Sequence, residues 1–180
     1  MDDILQALRN STGSLHKELD DAVMTAPITS AAGYERFLNM HARVLPAVES
    51  WMASQPLYHT LPAASARLRS EALTRDLEQM GISAPKVMPM SFLQDRTSVL
   101  GISYVLEGSR LGGAKLAQVI KSSGKTYPVS FLQHGQGQSY WKSFLAWLTA
   151  RDETPENARE AADAAVNLFK AYLQSAHLSR

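Results

Sequence analysis

The chain has no cysteine among its 180 residues. That absence removes disulfides, thiolate nucleophiles, cysteine-ligated zinc and iron–sulfur clusters. Net charge is nearly absent too: 18 Lys and Arg against 17 Asp and Glu leave +1. Such a balance gives no electrostatic case for nucleic acid or an anionic membrane. No run approaches the ~18 apolar residues of a membrane span. Met1-Asp2-Asp3 is acidic and lacks an apolar stretch, so no signal peptide is expected. There is no HExxH helix, no Gly-x-Ser-x-Gly elbow and no Gly-Lys-Ser/Thr phosphate loop. Strand-like alternation is missing as well. A chain without disulfides suits the cytoplasm, which is the expected location.

What remains is helical periodicity in a chain of 45% hydrophobic content, long enough for one domain over residues 1–180. Leu5, Leu8, Thr12, Leu15, Leu19 and Val23 recur at three- and four-residue steps, with Asp2 or Asp3 as cap. A second helix is expected from Thr29 or Ser30, on the stripe Tyr34, Phe37, Leu38, His41, Leu45 and Val48, kinked at Pro46. Residues 55–62 read as a loop and 63–80 as a third helix closed by Gly81. A long helix is expected over 92–122, another over 138–150, and a last one opened by Thr154 and Pro155. The fold class is all-α, a bundle of six or so helices.

The long helix carries Gly108, Gly112 and Gly113 in its interior. Each costs about 0.8–1.0 kcal/mol relative to Ala. Gly108 and Gly112 share a face, where either a second helix or a flat ligand can approach the backbone. The doubled glycine at 112–113 favours bending. Among the histidines, His16 lies at the edge of the first apolar stripe with Asp20 one turn on, placed to orient a metal-ligating imidazole. An ordinary half-buried histidine fits the same pattern. His41 falls on a stripe and reads as a core residue, and His59, His134 and His177 fall in loops or the tail.

Two stretches taken together resemble one family. Residues 8–16, Leu-Arg-Asn-Ser-Thr-Gly-Ser-Leu-His, and residues 104–113, Tyr-Val-Leu-Glu-Gly-Ser-Arg-Leu-Gly-Gly, are similar to the proximal and distal helices of haem oxygenases. The bacterial, bacteriophytochrome-associated kind is the nearest likeness. Residues 135–148, with Trp141, Phe144 and Trp147, and residues 158–173, with Phe169, resemble the family's last two helices.

The resemblance implies a haem-oxygenase-like helical domain that converts haem, O₂ and electrons into biliverdin, CO and ferrous iron. Haem is then both substrate and cofactor. His16 becomes the proximal iron ligand, and Gly108, Ser109, Gly112 and Gly113 the distal wall. Arg9 and Lys142 would meet the haem propionates, and Tyr104 and Phe169 would line the haem. Some members have Asp where this chain has Ser109, which leaves Arg110 or a water chain to organise the distal waters. The electron donor would be an external ferredoxin or reductase, since no flavin or nicotinamide fingerprint is present. A bacteriophytochrome could receive the biliverdin. A haem carrier of the same fold is the alternative. A thiaminase-like hydrolase would need a nucleophilic cysteine that the chain lacks.

Overall fold

A computed structural model describes residues 3–151 and 154–178, and every described element is helical. The α-helices are α1 (Ile4–Val23), α2 (Ala31–Ala42), α3 (Leu45–Ala53), α4 (Ser70–Gln79), α5 (Val99–Ser122), α6 (Tyr140–Thr149) and α7 (Pro155–Leu178). Short 3-10 turns at Pro56–Thr60 and Ala64–Arg67 lie between α3 and α4.

Local chemistry sets the ends. The Asp3 carboxylate accepts the Gln6 N–H at 2.8 Å and starts α1. Thr154 Oγ1 accepts the Asn157 N–H at 3.1 Å and Pro155 opens α7, as the sequence predicts. The expected second helix is instead two helices: α2 stops at Ala42, and Pro46 sits in the first turn of α3. A proline there loses nothing, because the first N–H groups of a helix have no internal partner. The expected helix over 63–80 is also cut. Ala63 is left-handed (φ 58°), and Leu68 is extended. Residues 64–67 are drawn off the helical path by Arg67, whose side chain binds Pro62 O, Glu107, Tyr140 O and Ser143. The first turn of α4 then receives its cap from α3: Glu49 accepts the N–H groups of Arg69 and Ser70. The glycine-bearing helix begins at Val99 rather than Phe92, on a Ser98 cap.

Alanine-rich α7 is the central element. Ala161, Ala162, Ala164 and Ala165 are buried on it, and α1, α2 and α5 all pack against it. Small side chains let the neighbours come close. The tightest point is Gly101 of α5, where a Cβ would lie 2.0 Å from the Ala161 carbonyl oxygen. α1 and α5 thus lean on the same helix, and the space between them is the cleft described next.

Candidate functional site

The cleft encloses about 270 Å³ and is walled by α1, α2, α5, α7 and the turn at Phe131 and Leu132. Its mouth is marked by His16, with a side chain 66% exposed, and Leu111, 48% exposed. Its inner end holds Arg69, His41, Phe131 and Tyr172, all buried.

His16 projects from α1 into this cleft, its ring 5.8 Å from that of Phe169 on α7. Asp20 also lines the cleft, but its Oδ2 stands 3.7 Å from His16 Nε2. That separation is too long for a hydrogen bond, so the carboxylate does not fix the ring here.

Across from α1, Gly108, Gly112 and Gly113 of α5 do three different things. A Cβ on Gly112 would meet nothing within 4 Å, so this is the bare patch of the wall. A Cβ on Gly108 would lie 3.7 Å from the Trp141 ring, an ordinary contact. Gly113 admits the Leu132 carbonyl, which would be 3.1 Å from its Cβ. α5 runs unbroken from Val99 to Ser122, and of the doubled glycine it is Gly113 that serves close approach. Tyr104 and Phe169 line the cleft, and the Tyr104 ring stands 6.1 Å from that of Trp141.

Arg9 and Lys142 are exposed and lie outside the cleft wall. Arg9 is two turns before His16 on nearly the same helix face, about 10 Å along the axis. Lys142 follows Trp141, which does line the cleft.

Arg110 is committed elsewhere. It binds Glu107, the His134 ring and the main-chain oxygens of Arg67 and His134, and it stacks on Tyr140. The cation in the cleft is Arg69. Its Nη2 donates to Ser109 Oγ at 2.6 Å and to Leu106 O at 3.1 Å. Burial, then repulsion from Arg110, lowers its pKa to about 10, so it stays charged at neutral pH. His41 is a satisfied core residue, as its stripe position predicts, with Nδ1 3.3 Å from Tyr172 OH. It also faces the cleft. Burial and the nearby Arg69 push its pKa down to about 3, so it is neutral. Sequence reasoning missed Arg69 because nothing in Arg67-Leu68-Arg69 distinguishes a buried arginine from two solvated ones.

The turn that carries Phe131 and Leu132 has no regular structure, so its position depends on outside partners. Asp76 of α4 supplies them. It is wholly buried, and its two oxygens accept the N–H groups of Ser130 at 3.1 Å and Phe131 at 2.8 Å. Tyr34 OH donates to Pro128 O at 2.6 Å and holds the near end. Asp76→Asn would set an amide N–H against a main-chain N–H. A destabilisation of about 2–4 kcal/mol is expected, since hydrogen bonds to a charged group are worth about 1.5–3 kcal/mol each. Urea unfolding gives the number. Hydrogen exchange should show protection lost first at residues 130–132, and unchanged exchange there would contradict the assignment.

The site is therefore a slot between two helices, with an imidazole at one wall and bare backbone at the other. The family model described as heme oxygenase matches residues 2–177. The chain belongs to the heme oxygenase family. A solved heme oxygenase from Neisseria meningitidis, studied with NO and CO bound, has the same fold: TM-score 0.82 at 23% identity, over 98% of this chain and 92% of that one. No curated protein sequence matches. Among the described residues no helix is long and apolar enough to cross a membrane, and no cluster of three or more His, Asp or Glu could hold a metal. Two histidines, His16 and His41, line the cleft.

Proposed function

We propose that this protein is a haem oxygenase that converts haem to biliverdin, CO and ferrous iron, with O₂ and electrons from an external donor such as a ferredoxin or reductase. The observation that carries this reading is the pairing of His16 with the uncovered backbone at Gly112 across one apolar slot. Bound haem would supply the iron at which O₂ is reduced, and its own ring would be the carbon that is oxidised.

The chain's residues bind, orient and shelter. His16 presents an imidazole from the mouth of the cleft. Tyr104, Trp141, Phe169 and Leu116 give apolar surface to a flat ring. Gly112 lets that ring approach the α5 backbone, and Gly108 leaves room for the Trp141 indole. Arg9 and Lys142, both exposed near the rim, take the propionates. The distal wall carries no ionised acid, and the cleft-facing His41 is neutral. Ser109 and Arg69 are the polar groups available to hold water there. A bacteriophytochrome is the partner that the sequence likeness suggests for the product.

The test is to add haemin to the purified protein, then ascorbate or a ferredoxin system in air. Loss of the Soret band with growth of a broad red biliverdin band is expected. A Soret band that persists would overturn the enzyme reading and leave a haem carrier. His16→Ala should weaken haemin binding at least tenfold, on the scale of roughly 10–100-fold for losing even an outer partner of a metal ligand. A histidine-ligated spectrum that survives in His16→Ala would refute the proximal assignment.

A further inference from the structure

The inner end of the cleft presents the donors of a buried guanidinium that no carboxylate contacts. We propose that in the haem-free protein it binds a small inorganic monoanion, of the size of azide, nitrite or bicarbonate, against Arg69.

Arg69 has five N–H donors. Nη2 spends its two on Ser109 Oγ and Leu106 O. Among the described residues, Nε and Nη1 have no acceptor. The guanidinium lies over the Phe131 ring, 4.9 Å from its centre, which fixes its plane and leaves its edge at the cleft.

No carboxylate hydrogen-bonds the guanidinium, whose acceptors are Leu106 O and Ser109 Oγ. Glu49 is spent on the main-chain N–H groups of Arg69 and Ser70 and on the Ser70 hydroxyl. Glu107 is spent on Arg67, at 2.7 Å, and Arg110, at 2.9 Å. Asp76, the third buried carboxylate, is spent on the Ser130 and Phe131 N–H groups, so none of the three hydrogen-bonds the Arg69 guanidinium. The carboxylate that lines the cleft, Asp20, is at the exposed mouth beside His16. An unpaired buried cation is costly, and an anion in the adjoining space removes that cost.

Ser109 has no donor left, and the His41–Tyr172 pair adds one. Ser109 Oγ donates to Leu106 O at 2.7 Å and turns a lone pair to Arg69. His41 and Tyr172 share one hydrogen bond. If Tyr172 donates, His41 keeps an Nε2–H; if His41 donates from Nδ1, Tyr172 keeps its O–H. Either way one donor remains at the cleft. A cation with two unused donor atoms, a further donor beside it and apolar walls select a small anion over water or a cation.

The inference concerns the haem-free protein, so it stands or falls separately from haem breakdown. The probe is azide, followed by its antisymmetric stretch in the infrared. A saturable band, shifted from free azide and displaced by nitrite, is expected in the wild type. Arg69→Met should weaken azide binding at least tenfold, and Arg69→Lys less. If Arg69→Met does not fold, Ser109→Val carries the test by crowding the guanidinium, with at least fivefold weaker binding expected. Absence of a saturable band in the wild type would overturn the proposal. Undiminished binding in Arg69→Met, or in Ser109→Val, would overturn it too.

Discussion

Gly112→Leu should make the protein more stable and unable to take up haem. The residue is in the interior of α5, where glycine costs about 0.8–1.0 kcal/mol relative to a good helix former. A Cβ there meets nothing within 4 Å, so the longer side chain enters the cleft without strain. The melting temperature should rise by about 2–4 °C for a chain of this size. Haemin affinity should fall at least about 100-fold, equivalent to about 2.7 kcal/mol of lost binding, because the leucine occupies the slot where the ring lies against α5. Gly101→Ala, eleven residues earlier on the same helix, should behave in the opposite way. Its Cβ would be 2.0 Å from the Ala161 carbonyl oxygen, and both obstacles are backbone. The α5–α7 contact has to open, at a cost of about 3 kcal/mol or more. Urea midpoints and haemin titrations on the two variants read both effects. A Gly112→Leu protein that is less stable and still binds haemin tightly would show that Gly112 is a packing glycine.

That contrast marks where sequence patterning stopped being informative. Glycine in a helix signals close approach, but not of what. Gly112 approaches open space, Gly113 a carbonyl of a turn, and Gly101 another helix. Gly101 drew no notice because it stands alone, away from the 108–113 cluster. The all-helical fold was legible because periodicity reports burial directly, and the caps at Asp3, Thr154 and Gly81 are local chemistry. The kink expected at Pro46 is a full separation of α2 from α3, and the break at 63–69 was not legible. The latter is imposed by tertiary bonds, Arg67 to Glu107 and Glu49 to Arg69, that join residues 20–40 positions apart. His16 and the glycine cluster stood out by position and spacing, and likeness to a family suggested their roles. The inner polar end of the cleft did not stand out, since Arg69, Tyr172 and Asp76 look like ordinary helix residues until α5, α7 and the turn at 130–132 close around them.

His41 makes the second strong prediction, one of acid sensitivity. Its pKa is near 6.5 in the unfolded chain and about 3 in the folded protein, lowered by burial and then by Arg69. Between those values the unfolded chain holds a proton that the folded protein does not. Unfolded protein therefore binds more protons, and stability must rise with pH across this window. His41's contribution is fully present above about pH 6.5 and lost as pH falls through about 3. The slope is about 1.4 kcal/mol per pH unit for one such group, or roughly 2 kcal/mol between pH 6.5 and 5. His134 adds to it in the same direction, with a pKa lowered to about 4 by burial and Arg110. Glutamine has similar reach and no titration, so His41→Gln should lose the larger part of this slope while it keeps a partner for Tyr172. Urea unfolding at pH 7, 6 and 5 measures it, and parallel curves for wild type and His41→Gln would sink the claim. The consequence reaches the site. A histidine that faces the cleft only as neutral imidazole cannot deliver a proton there at neutral pH, so the fixed positive charge at the inner end belongs to Arg69 alone.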